Sequence, residues 1–169
     1  MTLRVCTAGL LLGLLAVGAT HSILEMTPPI RGLVHADLRD TFDEVHDGQK
    51  HEAIDIMEPR GTPVRAVVPG TIRKLFLSKP GGNTIYLFDE IEMYCYYYAH
   101  LDRYAGGLRE GMRVERGDVI GFVGSTGNAG ARSPHLHFAI TELWPEKQWW
   151  KGKAVDPYPF LVDAVKREK

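Results

Sequence analysis

Between residues 51 and 142 the chain consists of short apolar runs, most of them alternating with polar positions, and cut at close intervals by glycine and proline. Alternation over four to eight residues marks a half-buried strand. The pattern predicts strands at 51–57, 63–68, 71–77, 84–88, 91–100, 119–123 and 136–142, with turns at Pro69-Gly70, at Lys79-Pro80-Gly81-Gly82-Asn83 and at Asp89-Glu90. Many short strands at close spacing predict a mostly β fold, an antiparallel sandwich or partly open barrel. No long segment of helical periodicity precedes residue 158, where "YPFLVDAVKREK" predicts one short C-terminal helix. Residues 22–50 read as an irregular lead-in.

The stretch "MTLRVCTAGLLLGLLAVGAT" departs from this pattern. One early positive charge, Arg4, precedes an apolar and small-residue run that closes in Val17-Gly18-Ala19. That is the layout of a secretory signal peptide cut after Ala19, and it places the mature chain in the periplasm or outside the cell. The run is short for a spanning helix, so no stable membrane span is expected after cleavage. Cys6 precedes the apolar run and follows the charged Arg4, which argues against a lipoprotein signal.

The formal net charge is −1, and removing Arg4 with the signal makes the chain one unit more negative. No clustered Lys/Arg run offers a surface to nucleic acid, and none is expected as a partner. Cys95 is the only cysteine beyond the signal. An exported monomer with one thiol holds no internal disulfide, so its fold must rest on packing or on a metal.

Four stretches carry candidate chemistry. "HEAIDIMEP" holds His51 and Asp55 four apart, on one face if the run is a strand, with Glu52, Ile54 and Ile56 on the other. In "MYCYYYAHLDR" alternation predicts Tyr94, Tyr96, Tyr98 and His100 on one face, and Met93, Cys95, Tyr97 and Ala99 on the other. "GDVIGFVGSTGNAGARS" is a strand running into a glycine-rich loop. "PHLHFAI" puts His135 and His137 on one face, with Leu136 and Phe138 behind. Singly, each has a plain explanation: a surface His/Asp pair, a packed histidine, turn glycines, a wet strand face. Together, a His and a carboxylate on one strand and two histidines on another supply what a catalytic zinc site needs, three nitrogen or oxygen ligands and an open position. A helical HExxH reading of "HEAID" fails, because Pro59, Gly61 and Pro63 follow too closely for a helix and its second histidine is missing.

In their order along the chain, His51-x-x-x-Asp55, "GTPVRAVVPGTI", "YYYAHL", "GMRVERGDVIGFVGSTG" and "PHLHF" closely resemble the lysostaphin-type (LytM-like) zinc metallopeptidases that cut peptidoglycan peptides. The resemblance covers about residues 38 to 142, and "WWKGKAVDPYPFL" is similar to the usual tail of such domains. It implies the β-rich duplicated hybrid motif fold. It also implies zinc held by His51, Asp55 and His137, with His100 and His135 acting on the activated water and the developing oxyanion. Which of those two is the general base is left open. One departure is Ala53, where the family often has glycine. The expected organisation is a signal peptide at 1–19, a lead-in at 20–37 and a zinc metallopeptidase domain at 38–169.

The function so implied is an exported zinc metalloendopeptidase acting on peptidoglycan cross-links, the scissile bond left open. The alternative is a non-catalytic wall-binding regulator of other peptidoglycan hydrolases. "GMRVERGDVIGFVG" is also similar to the hairpin of biotinyl and lipoyl carriers, but no Met-Lys-Met turn is present. Trp144, Trp149 and Trp150 either line a groove or pack.

Overall fold

A computed structural model describes residues 23, 25–46 and 48–168. The signal-peptide reading of residues 1–19 lies outside them. Among the described residues, no helix is long and apolar enough to cross a membrane.

Among the described residues the named elements follow one another as twelve strands and a C-terminal α-helix: β1 Val45–His46, β2 Gln49–Lys50, β3 Ile54–Met57, β4 Pro63–Arg65, β5 Gly70–Ser78, β6 Gly82–Asp89, β7 Tyr94–Leu101, β8 Arg103–Tyr104, β9 Arg113–Val114, β10 Val119–Phe122, β11 His135–Leu143, β12 Gly152–Val155 and α1 Tyr158–Arg167. Every named strand pairing is antiparallel. The mostly β antiparallel fold with a short C-terminal helix is therefore what the residue pattern predicts. The large sheet runs β12-β11-β7-β6-β5-β9, with β3 also on β11, and a small sheet runs β4-β10-β8. One edge of β11 is shared: its first half pairs with β3 and its second half with β12, while β7 takes the other edge.

The inward positions of both sheets form one apolar core. Ile54 and Ile56 of β3, Ile85 and Leu87 of β6, Tyr96 and Tyr98 of β7, and Leu136, Phe138 and Ile140 of β11 are fully buried against Val64 and Ile120 of the small sheet. The Tyr98 hydroxyl would be costly to bury unpaired, and it accepts a hydrogen bond from the Val67 amide at 3.1 Å. In α1, Leu161, Ala164 and Val165 recur at helical spacing and face this core. Met26, Ile30, Leu33 and Leu38 join it as well, so residues 26–38 are packed although irregular.

Two predictions of local geometry fail. The strand expected from residue 51 begins at Ile54: Glu52 sits in the left-handed region at φ 53°, which a strand cannot accommodate. The alternation expected through His100 also breaks. Asn83 pairs with Leu101 but Ile85 pairs with Tyr98, so β7 carries one extra residue here, and His100 takes φ 58°. A bulge of this kind turns one side chain to the opposite face. Tyr96 and Tyr98 stay in the core, and His100 joins Tyr97 and Ala99 on the outer face.

Candidate metal centre

The outer face of β11 presents His135 and His137, because the intervening Leu136 and the following Phe138 are drawn into the core. Register then brings Asp55 to them: Asp55 is the cross-strand partner of His137, and Ile54 and Ile56 anchor it outward. His51 arrives from the turn before β3. Its backbone amide donates to the Glu44 carbonyl at 2.8 Å and the Glu52 amide to the Phe42 carbonyl at 2.9 Å, pinning the turn on the preceding loop.

Three donor atoms meet. His51 Nε2 lies 3.1 Å from His137 Nδ1 and 3.2 Å from Asp55 Oδ1, and His137 Nδ1 lies 3.1 Å from the same oxygen. His51 Nδ1 is 3.0 Å from the Thr41 carbonyl, which can only accept, so this nitrogen is the donor and Nε2 is the one turned to the centre. Zinc bonds of about 2.0 to 2.1 Å at tetrahedral angles would place ligands roughly 3.3 Å apart. The observed triangle is close to that edge length, and its donors are neutral imidazole and carboxylate, so the residues fit the metal.

Thr41 is a residue that no sequence pattern marked. It is buried, its carbonyl orients His51, and its hydroxyl donates to the Ala53 carbonyl at 3.0 Å while accepting from the Asp55 amide at 3.2 Å. One side chain thus holds the backbone on both sides of the HxxxD segment. It stands ten residues before His51, inside the irregular lead-in, where neither periodicity nor motif spacing distinguishes it.

His100 and His135 face the same cavity, their ring centroids 4.8 Å apart, and that of His100 lies 5.6 Å from His137. Each is oriented in the same way as His51: Nδ1 of His100 reaches the Thr126 carbonyl at 2.9 Å, and Nδ1 of His135 the Ser133 carbonyl at 2.9 Å. In both rings Nδ1 is engaged with a carbonyl, so Nε2 is the nitrogen left to the cavity. Burial pushes the His100 pKa down to about 4, outweighing the Thr126 carbonyl that favours the charged form, so the ring is neutral at pH 7. Burial by itself would raise the Asp55 carboxyl, but the hydrogen bond to His137 and the surrounding imidazoles bring it below its ordinary value. Nδ1 of His137 is directed at Asp55, and Nε2 of His135 is 3.8 Å from the same carboxylate.

The cavity holds about 410 Å³ and opens between the loops at Pro80-Gly81 and Asn128-Gly130. These loops touch: the Asn128 amide donates to the Pro80 carbonyl at 2.9 Å, and Gly127, at φ 77°, lies where a β-carbon would strike the backbone of Pro80 and Gly82. The glycines of "GSTGNAG" are there for close approach as well as for turning.

Comparison with known proteins gives a consistent picture. Residues 49–157 match the profile of Peptidase family M23. The chain is 36% identical over 116 residues to the L-Ala–D-Glu endopeptidase of Bacillus subtilis, covering 66% of this chain and 34% of that protein. It is 31% identical over 127 residues to the peptidoglycan DD-endopeptidase ShyC of Vibrio cholerae, covering 69% and 28%. In structure it is similar to the antimicrobial peptidase lysostaphin from Staphylococcus simulans, with TM-score 0.63 and 31% identity over 76% of this chain and 50% of that one. The chain spans about a third or less of the length of the two curated relatives.

Proposed function

The chain belongs to Peptidase family M23, and on that premise we propose that it is an exported zinc metalloendopeptidase hydrolysing peptide bonds of peptidoglycan cross-links. His51, Asp55 and His137 hold the metal in this reading, and His100 and His135 are the catalytic residues. The observation that carries it is the triangle of three donor atoms 3.1 to 3.2 Å apart, with two further imidazoles turned into the same cavity.

When bound, zinc supplies Lewis-acid polarisation of a carbonyl and lowers the pKa of water from ~15.7 to near 7. The chain's own residues do the rest. Nε2 of His100 or His135 accepts the proton of the attacking water, since each ring has Nδ1 tied to a backbone carbonyl and Nε2 is the nitrogen left for the reaction. The resulting imidazolium donates that proton to the leaving amine, and the second ring, entering the cycle with an Nε2 proton taken from solvent, donates a hydrogen bond to the tetrahedral oxyanion and keeps that proton throughout. The burial-depressed pKa keeps the His100 ring unprotonated, and so able to accept a proton, at neutral pH.

A purely wall-binding role has no use for two oriented, proton-accepting imidazoles beside a ligand set. The relatives' names specify different bonds, L-Ala–D-Glu in one and a DD bond in the other, so the substrate bond must be measured. Digestion of defined cross-linked muropeptides, with products identified by mass spectrometry, is expected to give one cleaved bond and loss of cleavage on metal chelation. Intact muropeptides in the presence of stoichiometric zinc would overturn the reading. Export rests on residues 1–19, and N-terminal sequencing of exported protein is expected to begin at Thr20.

A further inference from the structure

The sheet face that carries the metal centre continues past it. Beyond His137 on β11 the outward positions are Ala139 and Thr141, flanked by Tyr97 and Cys95 of β7 on one side and, at the far end, by Ala154 of β12 on the other. These side chains floor a second cavity of about 290 Å³, walled by Tyr86, Trp149 and Trp150. Tyr97 lines both cavities, so the two are adjacent. With a strand rise of about 3.3 Å per residue, Ala139 lies roughly 7 Å and Thr141 roughly 13 Å from His137 along the sheet. That is the span of two to four residues of an extended peptide.

Floor and wall differ in character. The floor is kept low by small residues, and the Cys95 thiol within it is buried and held uncharged, its pKa raised by that burial. At Gly152 any β-carbon would strike the Glu142 carbonyl and the Thr141 methyl. The wall is a run of aromatic rings: Tyr97 to Tyr86 at 4.7 Å, Tyr86 to Trp149 at 4.6 Å, Trp149 to Trp150 at 5.1 Å. Trp149 is half-buried in this stack and also touches Phe76 at 5.4 Å. Trp150, at its end, is 61% exposed, an indole held beside the groove with most of its surface open to solvent. Glu52 and Lys151 border the cavity, one charge of each sign. Aromatic walls together with placed polar groups are what a peptide-binding cleft requires.

We propose that this second cavity is a subsite for one peptide arm of the cross-linked substrate, which runs over Ala139 and Thr141 two to four residues from the scissile bond and is gripped by Trp150. The proposal rests on the endopeptidase reading, because it places the chain on one side of the bond cut at His137. Glu52 and Lys151 match the amines and carboxylates carried by the arms of cross-linked wall peptides. An extended chain suits the row of floor positions better than a sugar ring, which would need a broad platform.

The test compares two muropeptides, one with a four-residue arm and one trimmed to the residue beside the scissile bond, on the zinc-loaded wild type, Trp150→Ala and Trp150→Phe. In the wild type the long arm is expected to lower KM about tenfold relative to the trimmed one, and Trp150→Ala to bring that ratio close to one. Trp150→Phe is expected to restore most of the ratio. Binding of both peptides to chelator-stripped protein, read by tryptophan fluorescence, should show the same length dependence without turnover. Arm-length discrimination that survives in Trp150→Ala overturns the subsite. So does a difference that disappears when the disaccharide is removed and the arm is kept, which would make the occupant a glycan. If no muropeptide is cleaved but long-arm binding still depends on Trp150, the endopeptidase reading fails and the peptide subsite stands.

Discussion

His135 and His137 share a strand face, yet they meet the cavity differently. His137 puts Nδ1 within 3.1 Å of both other donors, whereas His135 has Nδ1 spent on the Ser133 carbonyl and keeps Nε2 3.8 Å from Asp55. His137→Ala is expected to abolish both zinc binding and activity, and His135→Ala to abolish activity while keeping most of the zinc, as metal analysis and muropeptide hydrolysis would read. The reverse outcome would exchange their roles. His100→Ala should lower turnover by about 100-fold or more with zinc retained, the loss expected of a group that moves the proton or meets the oxyanion; near-normal turnover would make it a packed histidine. Thr41 acts one step back. Thr41→Val keeps the shape and removes the hydroxyl that spans the Ala53 carbonyl and the Asp55 amide. Zinc affinity is expected to fall about 10- to 100-fold and stability by roughly 1 to 3 kcal/mol. Thr41→Ser should recover both, as read by chelator competition and denaturant melts.

At the scale of elements, β11 decides where the chemistry sits, because it carries two of the histidines and pairs with β3, which brings Asp55, and with β7, which carries His100 just before its last residue. The bulge in β7 is the least expected feature, and it depends on the neighbouring loop. Gly124 lies where a β-carbon would strike the Asp102 amide and the His100 carbonyl. The clash is with backbone and cannot be relieved by a rotamer. Gly124→Ala is therefore expected to cost about 1 to 3 kcal/mol in thermal or denaturant unfolding and to lower kcat through the displaced His100 more than it raises KM. Full activity together with wild-type stability would show that the bulge tolerates the shift.

For the molecule as a whole, the centre joins segments far apart in the chain. His51 and Asp55 precede β4, His100 lies at the end of β7 beside Leu101, and His135 and His137 stand at the start of β11, so a bound ion would clamp the lead-in turn and β3 to the middle of the large sheet. A ligand that binds only the folded state stabilises it by about 2.7 kcal/mol at a hundred times its Kd. The apo protein is expected to remain folded, since its core contains no centre residue, and to melt several degrees higher on adding zinc. The rise should be absent in His137→Ala. An apo protein that is unfolded at 25 °C would assign the metal a structural role as well.

Periodicity was enough to read the long strands, because alternation of apolar and polar side chains follows from burying one face: β5, β6 and β11 of the large sheet and β10 of the small one fall within a residue or two of their predicted bounds, whereas the short β9 and β12 carry no such pattern. The ordered histidines and Asp55 were legible as a set for a different reason: metal chemistry restricts which side chains serve and how many are needed. The face of His100 was not legible, and His51 meets Asp55 as expected but from a turn instead of a strand, because each depends on a left-handed residue, Glu52 or His100 itself, whose backbone is set by neighbouring loops and leaves no periodic trace. Thr41, Tyr97 and the Trp149–Trp150 wall were settled by tertiary structure alone. Thr41 reaches the centre through a fold-back of the lead-in, and the tryptophans reach the groove because β12 returns beside β11, bringing 149 and 150 over a face laid down by residues ten to sixty positions earlier.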